Sequence, residues 1–238
     1  MREWNALGMT KLASVKVAYN VELAREYSRL TGLRMGFLTN TDVDFSLHSL
    51  FLDLMALHHL DFTATYRLLA QFTSVKDDAF STYLNEMVLP ASQISEALRP
   101  HAVERWAEFF TKYEARLNLP AELAAASAAP SSASNFPASL STATTMPTRA
   151  ERQNAANPRF TLRQWVLEDI IAKLDTASPD VLALDQVLEM ASEPYHSYGE
   201  AILGEEAVCG LDAAKEREKE LCGLGSSAML GFQCSCSS

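Results

Sequence analysis

The residues with the clearest chemical potential stand at the end of the chain, Cys234-Ser235-Cys236 of 238 residues. Two thiols one residue apart near a terminus can attack a disulfide, because exchange needs a thiolate and access. A bridge between them would be tight, since disulfides favour Cα separations of about 4.4–6.8 Å. A strained bridge is readily reduced, which suits redox exchange more than structure. Cys234 and Cys236 are therefore the redox candidates, with two exposed cysteines of no role as the plainer alternative. Cys209 and Cys222 also lie in the last thirty residues, so the body of the chain carries no cysteine. That distribution points to a reducing or redox-active compartment. A zinc site built from all four is disfavoured, because no Cys-x-x-Cys knuckle occurs.

Other residue groups offer less. Asn40-Thr41-Asp42-Val43-Asp44 has two carboxylates two residues apart, a spacing that can hold Mg²⁺ with help from phosphate. The stretch directly precedes a strong helical pattern, so Asp42 or Asp44 is expected as a helix cap. His48, His58 and His59 do not form a His-Glu-x-x-His pair, and surface or partly packed histidines are expected. Gly223-Leu224-Gly225 is too short for a phosphate cradle, and no Gly-x-Ser-x-Gly elbow occurs. The residues by themselves contain no complete active site.

Composition narrows the classes further. Thirty acidic residues against twenty basic ones give a net charge of −10, which argues against a nucleic-acid partner. No apolar run reaches the ~18 residues of a membrane helix. Leu47 to Leu60 comes nearest and is broken by His48, Asp53, His58 and His59. Met1-Arg2-Glu3-Trp4-Asn5 lacks the apolar stretch of a secretory signal and shows no organelle presequence.

The elements that must position these residues read as helices. Residues 1–118 show apolar residues at three- and four-residue steps. One helix is expected from Val15 to Leu30, with Tyr19, Leu23, Tyr27 and Leu30 on an inward stripe and Gly32 just past its end. A second carries Leu47, Leu50, Phe51, Leu54 and Met55. A third starts at Asp61 or Thr63, and a fourth spans Asp77 to Met87. The last runs from Pro100 to Leu117 with Trp106, Phe109, Phe110, Tyr113 and Leu117 inward. No strand is expected. Residues 119–148 are rich in Ala, Ser, Thr and Pro, with no charge between Glu122 and Arg149, and read as a flexible linker or surface insertion. Residues 149–198 are helical again, opened by Asn157-Pro158, with a further short helix over 179–190. Residues 199–238 form an acidic, cysteine-bearing tail.

Several stretches resemble one family. Arg149 through Arg163, containing Asn157-Pro158-Arg159-Phe160-Thr161-Leu162-Arg163, looks like a segment near the end of selenoprotein O. Asp61-Phe62-Thr63-Ala64-Thr65-Tyr66-Arg67-Leu68-Leu69 resembles that family's Asp-(Tyr/Phe)-Thr-x-x-(Phe/Tyr)-Arg-x-Leu stretch. Leu30-Thr31-Gly32-Leu33 is similar to its Lys-Leu-Gly-Leu turn. Leu221 to Gly225 and Gly231 to Ser238 resemble its C-terminus in fungal-type members. These anchors occur in family order and span most of the chain.

The resemblance implies a protein-kinase-like fold and transfer of AMP from ATP to protein Ser, Thr or Tyr hydroxyls, with Mg²⁺, in the mitochondrion of eukaryotes. The family's glycine-rich loop, its lysine and glutamate, and its metal-binding Asn and Asp have no counterpart in residues 1–238. Asn40-Thr41-Asp42 echoes the family's catalytic Asn-Thr-Asp but falls too close to Asp61 to carry that role. Cys236 matches the position where some members hold selenocysteine. The family's other cysteine would fall at Gln233, so Cys234 is an approximate match.

The expected fold is thus mainly α, the helical part of a kinase-like C-lobe with a long flexible linker and an extended C-terminal tail. ATP and Mg²⁺ belong to the full-length family, and no cofactor is expected for this chain alone. Protein substrates and a redox partner are the implied partners, with neither nucleic acid nor membrane. A non-catalytic helical module that docks on other proteins is the alternative, and a stand-alone thiol oxidoreductase acting through Cys234 and Cys236 a weaker third.

Overall fold

A computed structural model describes residues 2–89, 94–128, 135–140, 143–198, 211–223 and 225. The fold is mainly α, and no strand forms among the described residues. Helix α1 spans Arg2–Met35, α2 Asp44–Leu57 and α3 Phe62–Leu69. Helix α4 (Phe80–Thr82) continues into a π-helical turn, Tyr83–Val88. Helix α5 spans Arg99–Leu117, α6 Pro120–Ala126, α7 Arg149–Ala156, α8 Gln164–Leu174, α9 Val181–Ser192 and α10 Leu211–Cys222. None of the described helices is long and apolar enough to cross a membrane.

The main core is an aromatic cluster built on α5. Trp106, Phe109, Phe110 and Tyr113 are all fully buried, as the helical spacing predicts. Phe51 of α2 stacks on Phe109 with ring centroids 5.1 Å apart, and Phe72 stacks on Phe110 at 4.9 Å. Such pairs add about 0.5–1.5 kcal/mol each beyond the area they bury. A smaller core joins α8, α9 and α10 through Phe160, Val166, Ile170, Val187, Met190 and Leu221. The chain passes from one core to the other at Asn157-Pro158.

Several expectations need correction. The stripe of α1 is not core: Tyr19 is 64% exposed, Leu23 52%, and Tyr27 and Leu30 are exposed as well. Among the described residues of α1, only the last turns, from Thr31 to Met35, reach the interior. The helix also runs through Gly32, which does not cap it. A Cβ at Gly32 would fall 2.3 Å from Asn135 Nδ2, so glycine is required there by close approach. The cap falls to Gly36, whose φ of +80° is the left-handed conformation that ends helices.

Neither Asp42 nor Asp44 caps α2; Val43 takes that position without a side-chain bond. Asp61 does cap α3, accepting from the Ala64 amide at 2.6 Å. Asn157-Pro158 follows a helix instead of opening one. Helix α7 begins earlier, where Thr148 and Glu151 form a reciprocal capping box, and Arg163 precedes α8. Within 119–148, residues 120–126 are helical, and Glu122 and Asn135 are buried against the body.

Candidate functional site

Three of the stretches that carry the family resemblance converge on one junction. Asp61, held at the start of α3, pairs with Arg163 Nη2 at 2.5 Å. Arg163 also donates through Nη1 to the carbonyls of Cys222, at 3.3 Å, and Gly223. Thr63 and Thr161 hydroxyls meet at 3.3 Å. Arg159 lies 2.7 Å from the buried carboxylate of Glu218 on α10. Arg163 thereby ties α3, the entrance of α8 and the end of α10 together.

Helix α7 extends the junction by satisfying helix-end carbonyls, which have no partner within their own helices. Asn157 Nδ2 donates to Arg34 O at 2.9 Å, and Arg152 Nη2 to Gly36 O at 3.2 Å, both at the end of α1. Arg149 donates to Leu69 O at 2.6 Å and to Phe72 O beyond the end of α3. Gln153 bonds the Tyr113 hydroxyl at 3.1 Å, and that hydroxyl donates to Met35 O at 2.7 Å. Arg67 returns the exchange, donating to the Asn154 and Asn157 carbonyls at 3.0 Å each. The motif residues thus serve as connectors between helices.

Beside the junction opens a cleft of about 1070 Å³ between the end of α1, α2, α3, α7 and residues 137–140 and 193–196. On its wall His48 Nε2 and the Tyr66 hydroxyl are 2.5 Å apart, and the Tyr27 hydroxyl is 3.3 Å from His48 Nδ1. Burial lowers the His48 pKa, and the Arg34 guanidinium lowers it further. Burial raises that of the Tyr66 hydroxyl, against a smaller opposing pull from Arg34. At neutral pH the imidazole is therefore uncharged and the Tyr66 phenol beside it keeps its proton. Arg34 sits 5.5 Å from the Phe62 ring centroid and 5.6 Å from that of Tyr66. The cleft can thus offer a ligand a guanidinium face, hydroxyls and an apolar floor of Leu30, Leu33 and Leu52. His48 and His58 are both buried, more so than expected, and both are hydrogen-bonded; Trp106 Nε1 donates to His58 Nδ1 at 3.1 Å.

The Asn40–Asp44 stretch does not fit Mg²⁺. Asp44 turns inward to Arg116, with Nε–Oδ1 at 2.5 Å and Nη2–Oδ2 at 3.1 Å. It also accepts from the Thr41 amide and hydroxyl. Asp42 stays exposed, so the two carboxylates do not converge. Among the described residues no group of three His, Cys, Asp or Glu side chains could hold a metal ion. Arg116 pairs as well with Glu122 at 3.0 Å, and Glu122 accepts from the Leu38 and Thr39 amides at 2.5 and 3.1 Å. Composition gave no hint of this knot, because Glu122 stands alone in an alanine-rich stretch.

Cys234 and Cys236 lie outside the described residues. Cys222, half-buried at the end of α10, has its thiol pKa raised by burial, which disfavours the reactive thiolate. No family model matches the chain, and a search of curated proteins finds no match.

Proposed function

We propose that this chain is the helical C-terminal part of a selenoprotein O-like protein adenylyltransferase, a mitochondrial enzyme that moves AMP from ATP to protein hydroxyls. In this reading it supplies part of a kinase-like C-lobe and a terminal redox pair, Cys234 and Cys236, and does not transfer AMP by itself. The observation that supports it is the convergence of separately quoted motifs on Arg163. Asp61, Arg163 and the Cys222-Gly223 carbonyls are far apart in sequence and bonded in space. Residues that resemble one family in order also depend on one another in structure.

The transcript upstream of Met1 tests the family. An open frame encoding a glycine-rich loop and a following lysine is expected; an in-frame stop with no such coding sequence overturns the reading. Incubation of the purified chain with α-labelled ATP, Mg²⁺ and a protein acceptor tests the second half. No label should enter protein, and clear incorporation shows that the nucleotide machinery lies within these residues.

A second reading, a non-catalytic helical module that docks on a partner, is favoured by the exposed apolar stripe of α1. Binding of an apolar-surface dye that is lost on substitution of that stripe is its expected signature.

A further inference from the structure

The cleft beside the junction holds a cation that no acid of the described residues neutralises. Arg34, half-buried in the last turn of α1, keeps its guanidinium 5.5 Å from the Phe62 ring centroid and 5.6 Å from that of Tyr66. Among the described residues no carboxylate pairs with it, whereas Arg29 on the same wall is held by Glu26 at 2.8 Å. Thr31 stands one turn earlier on the same face of α1 and also lines the cleft. It is 6% exposed, and its hydroxyl makes no hydrogen bond among the described residues. A guanidinium and a hydroxyl so placed are donors available to a bound acceptor.

The neighbouring groups do not fill that need. His48 is uncharged and bonded to Tyr66 and Tyr27. Glu151 accepts from the Thr148 amide and hydroxyl. Glu193 and His196 are exposed, where solvent screens their charge. Much of the remaining lining is apolar: Leu30, Leu33, Leu52, Phe62, Pro137 and Leu140.

We propose that this cleft binds an amphipathic monocarboxylate, a single carboxylate on a hydrocarbon body, of the kind a medium-chain fatty acid anion presents. The carboxylate takes the Arg34 guanidinium in a charge-assisted pair and accepts from the Thr31 hydroxyl, while the body lies on the leucine floor. Cation–π attraction to Phe62 and Tyr66 holds the guanidinium ready for it. One guanidinium matches one negative charge. No lysine lines the cleft among the described residues, and Glu151 and Glu193 do, which disfavours a dianion such as a phosphate monoester. The volume of about 1070 Å³ is far more than a bare anion fills and is of the order of small-molecule sites. Such a ligand is chemically distinct from the nucleotide of the reading above, so the two stand or fall separately.

Calorimetric titration of the full chain with octanoate, below its micellar concentration, reads the result. One saturable site per chain is expected. Octanol and acetate should each bind at least about tenfold more weakly, because one lacks the charge and the other the body. Arg34→Gln should weaken octanoate about 10- to 100-fold, the loss of one charge-assisted pair. Thr31→Val should weaken it about threefold to tenfold without lowering the melting midpoint, since that hydroxyl bonds nothing within the described chain. Leu12→Gln, on the exposed length of α1 outside the cleft, should change nothing. The absence of saturable binding, octanol bound as tightly as octanoate, octyl phosphate bound more tightly than octanoate, or full affinity in Arg34→Gln overturns the proposal. So does an equal loss in Leu12→Gln, which would place the ligand on the exposed helix. Circular dichroism checks that each variant is folded; if Arg34→Gln is not, octanoate against octanol on the parent chain decides.

Discussion

Helices α1 and α5 are both long, and each carries large apolar residues at three- and four-residue steps. In α5 that stripe is the centre of the protein: Trp106, Phe109 and Tyr113 have no exposed surface, and Phe110 almost none. In α1 the equivalent stripe stands in solvent, with Leu12 63% and Tyr19 64% exposed. Helical periodicity states that a face is apolar; it does not state what covers it. Coverage depends on whether the following segments fold back. The chain after α5 turns at Asn118 and returns through α6, while α2, α3 and α7 close on only the last turns of α1.

The sharpest break of this comparison is a matched pair of truncations. Trp106→Ala should cost about 3–5 kcal/mol, because it empties a site walled by Phe51, Phe109 and Phe110. Tyr19→Ala should change the stability of the isolated chain by no more than about 0.5 kcal/mol. Urea unfolding of both, at the same protein concentration, checks the contrast. A large cost at Tyr19 would mean that α1 is covered within one chain.

The same contrast holds for charge. Arg25 and Arg116 each meet two carboxylates, but Arg25 is 59% exposed and Arg116 1%. Arg116→Met should strand Asp44 and Glu122 without their cation, at a cost of about 3 kcal/mol. Arg25→Met should leave the unfolding midpoint where it was. Asp44→Asn combined with Arg116→Met should recover part of the loss, since one buried charge fewer then lacks a partner. Additive losses instead would show that Arg116 acts by packing on Phe37, whose ring centroid lies 4.3 Å from its guanidinium carbon.

What could be read beforehand follows from the range of each interaction. The α5 core is written in local spacing, and so is the Asp61 cap, which reaches only three residues ahead. The capping box at Thr148 and Glu151 has an equally local signature, yet the more conspicuous Asn157-Pro158 draws attention from it. Gly32 and Gly36 show where local reading stops. Both are glycines near a helix end, and only the position of Asn135, about a hundred residues away, makes Gly32 a contact rather than a cap. The buried roles of Asp44 and Glu122 depend on Arg116 in the same way. The junction at Arg163 has no sequence pattern at all, because side chains of one segment bond carbonyls and a carboxylate of segments far along the chain.

Between the buried cores and the exposed helix stand the histidines, and pH separates them more gently than substitution does. His58 is buried, and its Nδ1 must keep a lone pair to accept from Trp106. Burial holds its pKa below the usual value, helped by His101, Arg105 and His59 and partly offset by the Leu54 backbone. In the unfolded chain that pKa returns to about 6.5. Above this pH both states are neutral and the folded state keeps its full advantage. As pH falls through about 6.5, the unfolded chain takes a proton that the folded chain refuses, so stability declines. The decline continues until pH reaches the folded-state value. His48, lowered in the same direction, adds to the slope. His58→Gln keeps an acceptor for Trp106 and cannot titrate. Its stability should therefore fall less steeply between about pH 7.5 and 5 than that of the parent chain, with His48 accounting for the remainder. Equal slopes in urea titrations of the two proteins would place the protonation elsewhere.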